Sequence, residues 1–463
     1  MRERLVLLTA ALLAFGASLG SGFHFDDYAI FADPALNRAA GWLQIWSLRQ
    51  TRPLTYFTFW LNLQTSGHSA AGFHALNLAL HLGAVLLAYE CLRRLLPEGP
   101  ALFAAAVFAV HPLQAEAVDY IWGRSIVLAT LLCLASLLAW LRGARWQAVA
   151  WFAAALLAKE EVAAFPLVLL LLDRRARAPI AAMCGLSLAA GLRVVWATAV
   201  TPGAPAGLQA GISPWHYFLT QGTVIWRYLR LLAIPWGFTI DPQIAVAPVW
   251  VGVAAWTALA AAVALMWRHR AGPWILAGLV LLLPSSSIFP AADLAADRRM
   301  YFPLLAFAAA LLPVKKQIAA PVILVLMGLS FARTQVWMSD ESLWREAVER
   351  APDKVRPKIQ LARAVPPAEG LQLLAAARAE APEDPNIATE TGKILLSAGQ
   401  PAEALGEFGR ALALQPRDAA NYNNRGAALA ALGQTEAARQ DFERALKLDP
   451  TLVSARQNLQ SLR

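Results

Sequence analysis

Residues 317–350 read QIAAPVILVLMGLSFARTQVWMSDESLWREAVER, and the architecture is decided inside them. From Gln317 to Ala332 the side chains are almost all apolar, in a run close to the roughly 20 residues that a transmembrane helix needs. After Arg333 the character changes, and Glu, Arg, Ala, Gln and Pro take over. Upstream, apolar stretches recur back to Leu5. The whole chain is 58% hydrophobic and only 15% charged, whereas ordinary soluble domains are about 25% charged. These features predict an all-α chain: a polytopic transmembrane helix bundle over 1–333, then a soluble domain over 334–463.

Downstream of the boundary the chain repeats. Pro382, Pro416 and Pro450 are spaced by 34 residues, the tetratricopeptide period. One unit reads Gly392, Leu395, Ala404, Phe408, Ala411, Pro416; the next reads Tyr422, Gly426, Leu429, Ala438, Phe442, Ala445, Pro450. Small residues fall where paired helices touch, and aromatics fill the gap between them. Arg425 stands where a leucine is usual. Trp344, Ala347 and Pro352 echo the pattern, and the 30-residue step from Pro352 to Pro382 marks that unit as irregular. Residues 451–462 read as a capping helix. About three units are expected, stacked as an α-solenoid of the kind that binds a peptide or partner protein on its concave face.

The net charge of +9 does not imply nucleic acid, because residues 334–463 hold 16 basic and 17 acidic residues. The excess lies in short loops of the apolar part, where it reads as the positive-inside signal. Placing Arg2 and Arg4 in the cytoplasm, and then Arg93–Arg94, Arg142 and Arg145, Arg174, Arg175 and Arg177, Arg268 and Arg270, and Lys315–Lys316, gives about eleven spans. The repeat tail then lies on the external or periplasmic side of the inner (plasma) membrane. The leading run from Leu5 fits a signal peptide or a retained first span; the many spans that follow favour the second. Residues 146–172 predict two short spans with Lys159-Glu160-Glu161 at the external turn. Residues 214–236, which carry Arg227 and Arg230, predict a re-entrant or interfacial helix. Cys91, Cys133 and Cys184 show no metal-ligand spacing and read as packing residues.

This topology gathers Asp26, Asp27, Arg52, His111, Glu116, Arg124, Lys159, Glu160, Asp241, Asp297, Arg298 and Arg299 on the external face. Each alone can be a solvated loop residue. Acids and arginines meeting at several span ends are functional candidates. Asp26-Asp27 lies in Phe-His-Phe-Asp-Asp-Tyr; one carboxylate of such a pair can act as a general base, and the plain alternative is a turn acid. Arg298-Arg299 opens a span, and arginine grips phosphate bidentately; headgroup anchoring is the alternative. His111 with Glu116 is a weak metal candidate. His68, His74 and His81 read as interfacial or bundle-facing.

Taken in order, Asp26-Asp27, Arg52-Pro53-Leu54, His74 through His81 with Asn77, His111-Pro112 with Glu116-Ala117-Val118 and Gly123-Arg124, Leu157-Ala158-Lys159-Glu160, and Arg299 with Tyr301 and Pro303 resemble the transmembrane-and-tetratricopeptide-repeat protein O-mannosyltransferases and their bacterial relatives. These are glycosyltransferases of the GT-C class. The resemblance implies an inverting transfer of a sugar from a polyprenyl-phosphate carrier to a protein Ser or Thr hydroxyl on the external face. It implies Asp27 or Asp26 as the catalytic carboxylate, and Arg298 or Arg299 with Arg124 as the donor-phosphate site. His111, Glu116, Lys159, Glu160 and Arg52 would support them. No cofactor is implied with certainty, and a divalent metal stays open. The implied partners are the donor lipid, membrane lipid and a protein on the repeats. A GT-C-like enzyme acting on a glycan or lipid, and a non-catalytic scaffold recruiting partners through its repeats, remain as alternatives.

Overall fold

The computed structural model describes residues 1–173, 175–201, 206–311 and 316–462. Arg174, Lys315 and residues 312–314, which the topology reading uses, lie outside the described residues. The chain divides into two compact units, Met1–Ser339 and Asp340–Arg463. The division falls beyond Arg333 because the last apolar helix continues to Val336. Among the described residues the only extended pairing is an isolated bridge between Ala206 and Ala291; the rest of the regular structure is helical.

Among the described residues six helices of the first unit are long and apolar enough to cross a membrane: Arg2–Gly20, Ala70–Leu95, Ile121–Leu141, Arg177–Val200, Val249–Met266 and Gln317–Val336. A seventh crossing is possible if Glu98–Val110 and Pro112–Val118, bent by 50° at His111, form one span. The bend has a local cause. Proline has no N–H and pushes its predecessor out of the helical region, and His111 is extended at φ −76°, ψ 135°. Its Nδ1 accepts the Leu113 N–H at 3.1 Å, so Nε2 carries the ring proton and donates to the Leu232 carbonyl at 3.2 Å.

The other expected spans fall on shorter helices. Residues 146–172 form Arg145–Ala158 and Phe165–Leu172, with the charged trio in the break between them. Residues 272–290 are helical over Gly272–Leu282, and 300–314 over Pro303–Ala310. An eight-residue helix rises only about 12 Å, well short of a hydrocarbon core of about 30 Å. By length and composition six helices among the described residues, or seven with the bent pair, can cross a membrane, and the remainder of the expected eleven rests on these short pieces.

The long first loop is a packed element. Ile30, Leu36, Ile45, Phe59 and Phe73 are buried together with Ile121, and the Pro53–Ser66 helix supplies one wall. Arg193, on the Arg177–Val200 helix, donates to the Ser47 and Leu48 carbonyls at 3.1 Å and also to that of Gln50, so the loop is tied to the bundle.

In the second unit, helices Val355–Ala362 and Pro367–Glu380, Pro385–Ser397 and Pro401–Leu414, and Ala419–Ala431 and Thr435–Leu448 form three antiparallel pairs, with Val453–Ser461 after them. The irregular first unit is explained by its eight-residue leading helix. The repeat glycines are close-approach positions: a Cβ on Gly392 would lie 2.6 Å from the Phe408 ring, and one on Gly426 2.6 Å from the Phe442 ring. Arg425 is accommodated by Asp441, which accepts from its Nε at 2.7 Å and its Nη2 at 2.8 Å.

Candidate active site

The first segment of the site starts where the Arg2–Phe15 helix and a following 3-10 stretch end at Gly20. His24 is extended, and Phe25 has φ +43°, the only positive φ at a non-glycine residue among those described. A side chain in that region costs of order 1–3 kcal/mol, and such strain clusters at functional sites. The kink is held from both ends. Asp27 accepts the His24 N–H on Oδ2 at 3.0 Å and the Trp122 N–H on Oδ1 at 2.8 Å. The His24 ring bonds the Trp337 carbonyl through Nε2 at 2.7 Å. Asp27 is fully buried, and burial pushes its carboxyl up to about 7 against the pull of those N–H donors. Asp26 is half-buried, and its N–H donates to the Tyr120 hydroxyl at 3.1 Å.

The second segment is the 293–299 turn. Arg298 and Arg299, equivalent in sequence, have different surroundings. Arg298 is partly exposed; its side chain pairs with Glu116, whose Oε2 also accepts the Arg298 N–H at 3.1 Å. Asp293 lies 3.9 Å from its other terminal nitrogen. Arg299 is buried and spends its guanidinium on its own loop, donating to the Asp293 carbonyl at 2.8 Å and the Leu294 carbonyl at 3.1 Å. The Pro214–Ala233 helix clamps the same turn. Gln221 Nε2 donates to the Leu294 carbonyl at 2.9 Å, Tyr228 exchanges two 2.9 Å bonds with the Ala296 backbone, and Arg227 pairs with Asp297 at 2.6 Å. Residues 214–233 thus form a buttress whose arginine is neutralised inside the protein.

The third segment is the break after the Arg145–Ala158 helix. Glu160 accepts from Arg52 on both oxygens, at 3.0 and 2.6 Å. Burial works against its charge, but Arg52 outweighs burial and holds the carboxyl down at about 2. Lys159 is buried against Glu161 at 3.1 Å, and burial lowers its ammonium to about 8. Arg298 contributes to the field at both Arg52 and Lys159, so the second and third segments are electrostatic neighbours. Tyr120 in turn feels Asp26, Asp27 and Arg298, which joins the first segment to the second.

The structure therefore brings Asp26, Asp27, Arg298, Arg299, Glu116, Arg52, Lys159 and Glu160 into one electrostatic neighbourhood. Arg124 occupies a different role in the geometry. Its guanidinium is fully buried; it donates to Asn77 Oδ1 at 2.7 Å, to the Phe73 carbonyl at 2.9 Å and to the Thr58 carbonyl at 3.2 Å, and it lies over the Phe59 ring at 4.7 Å. These contacts make it a strut beneath the first loop, with its donors directed at the protein. His111 is likewise a bend cap with both ring nitrogens on the backbone. Among the described residues no group of three or more His, Cys, Asp or Glu is arranged to hold a metal ion. His81 bonds the Tyr301 hydroxyl at 2.8 Å and the Ala109 carbonyl at 3.1 Å, as a bundle-facing residue should. Asp241 is buried.

The residues that sequence reasoning missed are Tyr120, Glu161, Arg227, Tyr228 and Asp293. Tyr120 offered a signal, since it sits between Glu116 and Arg124, both already singled out. Glu161 stood in the charged trio and Arg227 marked the 214–236 segment, but neither was read as a site residue; Tyr228 and Asp293 are common residue types in unpatterned stretches.

With this geometry in place, the likeness to known proteins becomes informative. Residues 419–452 match the family model for the tetratricopeptide repeat. The chain is similar to protein O-mannosyl-transferase F38B6.6 of Caenorhabditis elegans, with 33% identity over 156 residues, 30% of this chain and 23% of that protein. It is similar to protein O-mannosyl-transferase TMTC1 of Homo sapiens, with 36% identity over 154 residues, 30% of this chain and 18% of that one. The matching part thus spans about a fifth of the length of those relatives. A solved structure, the first TPR of Spaghetti (RPAP3) bound to HSP90 peptide SRMEEVD, covers 21% of this chain and 76% of its own at 27% identity and a TM-score of 0.20.

Proposed function

We propose that this chain is a membrane glycosyltransferase that moves a sugar from a polyprenyl-phosphate-linked donor to a Ser or Thr hydroxyl of a protein on the external face. The observation that carries the reading is the meeting of an acid pair with a partly exposed arginine around Tyr120. The names of the relatives favour protein as the acceptor and mannose as the sugar.

Division of labour follows from the hydrogen bonds. Both oxygens of Asp27 hold backbone N–H groups, so Asp27 fixes the kinked loop. Asp26 carries the half-buried carboxyl and is the general base. The acceptor oxygen bonds to the anomeric carbon as the bond from that carbon to the phosphate oxygen breaks. The hydroxyl proton passes to Asp26, and the electron pair leaves with the phosphate. Arg298 offsets the charge that gathers there, a preorganised contribution of the kind that dominates many enzymes. Approach from opposite the leaving group inverts the anomeric centre. Glu116 holds Arg298, and the Arg52–Glu160 pair lies in the same electrostatic neighbourhood. The repeats present the acceptor.

The test is direct. Full-length protein in lipid nanodiscs is given a mannosyl-phosphoryl polyprenol and a Ser/Thr-rich peptide, and the products are analysed by mass. Sugar on the peptide that disappears in Asp26→Asn supports the reading. Sugar on a glycan or lipid acceptor alone moves the chain to a different acceptor class. An equal yield from Asp26→Asn removes the catalytic assignment.

A further inference from the structure

One buried polar group at the centre of the site has no part in the reaction as written. Tyr120 is 2% exposed, and its ring, its carbonyl and its phenolic oxygen are each engaged. Its ring stacks on Trp337 with centroids 5.6 Å apart and planes 30° from parallel. Its carbonyl accepts from Asn77 Nδ2 at 3.0 Å and from the Gly123 N–H at 3.0 Å. Its phenolic oxygen accepts the Asp26 N–H at 3.1 Å. A phenol has one donor as well as its acceptor lone pairs. Among the described residues no acceptor for that O–H proton is found.

The surroundings say what it can meet. The charges that bear on the phenol are those of Asp26 and Asp27 and, with the opposite sign, that of Arg298, which is paired with Glu116 four residues before Tyr120. Burial first, and then the two carboxylates, hold the phenol well above its ordinary value, so it stays protonated and acts as a donor. A buried O–H without an acceptor is costly, and a ligand oxygen carrying negative charge satisfies it best. The cation that acts on the phenol is Arg298, held by Glu116 four residues before Tyr120, and it attracts the same kind of oxygen. The phenol is also immobile, since ring and carbonyl are both fixed.

We propose that the Tyr120 hydroxyl is a ligand-binding group of this site: it takes the Asp26 N–H on a lone pair and gives its own proton to a phosphate oxygen of the lipid-linked phosphate that Arg298 holds. The inference rests on the donor class proposed above. One buried side chain then ties the Asp26 backbone to the leaving group, because the same oxygen serves both.

The experiment measures binding as well as turnover. Full-length protein in nanodiscs is titrated with a short-chain polyprenyl phosphate, with no sugar and no acceptor. Tyr120→Phe keeps the stack on Trp337 and removes only the hydroxyl. It is expected to weaken polyprenyl phosphate binding about tenfold, as loss of a hydrogen bond to a charged group implies, with an unchanged melting temperature and an unchanged KM for the acceptor peptide. A fluorinated tyrosine at position 120 keeps the shape and makes the O–H a stronger donor, and it should tighten the same binding. Equal affinity of Tyr120→Phe and the parent protein overturns the proposal. So does weakened binding in Tyr120→Phe accompanied by a lower melting temperature and no response to the fluorinated residue, which is the signature of a purely structural role. Tyrosine-dependent phosphate binding without any sugar transfer sinks the enzymatic reading and leaves this one standing. Sugar transfer that is indifferent to Tyr120→Phe does the reverse.

Discussion

Arg425 in the repeat unit finds its partner Asp441 16 residues along the chain, whereas Arg298 in the membrane unit finds Glu116 182 residues away. Both are arginine–carboxylate pairs, yet they belong to different kinds of structure. In the repeats each contact is made between neighbouring helices, so a local error is felt as lost stability. In the membrane unit the acid loop, the arginine turn and the charged break are far apart in sequence and meet only in the finished fold. An error there is felt first as lost chemistry.

Substitutions can set the two regions against each other, and the largest effect should come from the acid pair. Asp26→Asn is expected to lower the sugar-transfer rate by about 10²–10⁴, the usual worth of a general base, with no change in melting temperature. A comparable fall in stability would place Asp26 with the structural residues. Next comes the arginine pair. Arg298→Ala should cost about 10²–10³ in rate, as removal of one transition-state donor does. Arg299→Ala should instead loosen the 293–299 turn, which hydrogen exchange across those residues would register. Identical behaviour of the two variants would erase the distinction drawn from their partners.

Gly426→Ala sets the opposite pattern. It forces a methyl to 2.6 Å from Phe442 and should cost about 1–3 kcal/mol in the repeat unit, measured by thermal unfolding, while the chemistry on a short peptide is untouched. The last effect is one of pH. The Asp27 carboxyl is raised by burial to about 7 in the fold from an ordinary 3.8, so the folded state holds its proton longer than the unfolded state does. That contribution to stability is complete below the ordinary value and is lost as pH rises through about 7. The stability of the parent protein relative to Asp27→Asn should therefore fall between pH 5 and pH 8; a flat difference would show that the carboxyl is ionised throughout.

What could be read in advance divides along the same line. The repeats were legible because Gly426, Phe442 and Pro450 encode a local packing unit that recurs. The apolar spans were legible because hydrocarbon length is written directly in residue count. The acids and arginines of the site were legible as types near span ends. Their individual duties were not, because Arg298 and Arg299 differ only in what the fold places beside them. Arg124 shows the limit clearly: its charge suggests a phosphate ligand, and only the positions of Asn77, Thr58 and Phe73, on two other helices, turn it into a strut. Tyr120 escaped for the related reason that a tyrosine acquires meaning from its partners.

The bond between His24 and the Trp337 carbonyl has a consequence in time. It joins residues 313 apart, so the first is synthesised well before the second. Chains are made from the N-terminus, at about 5–20 residues per second. The kink at Phe25 therefore waits tens of seconds for the residue that braces it. Until then the nascent chain carries its acidic pair in an unbraced loop, and a ribosome that stalls before Trp337 leaves behind a product lacking that clasp.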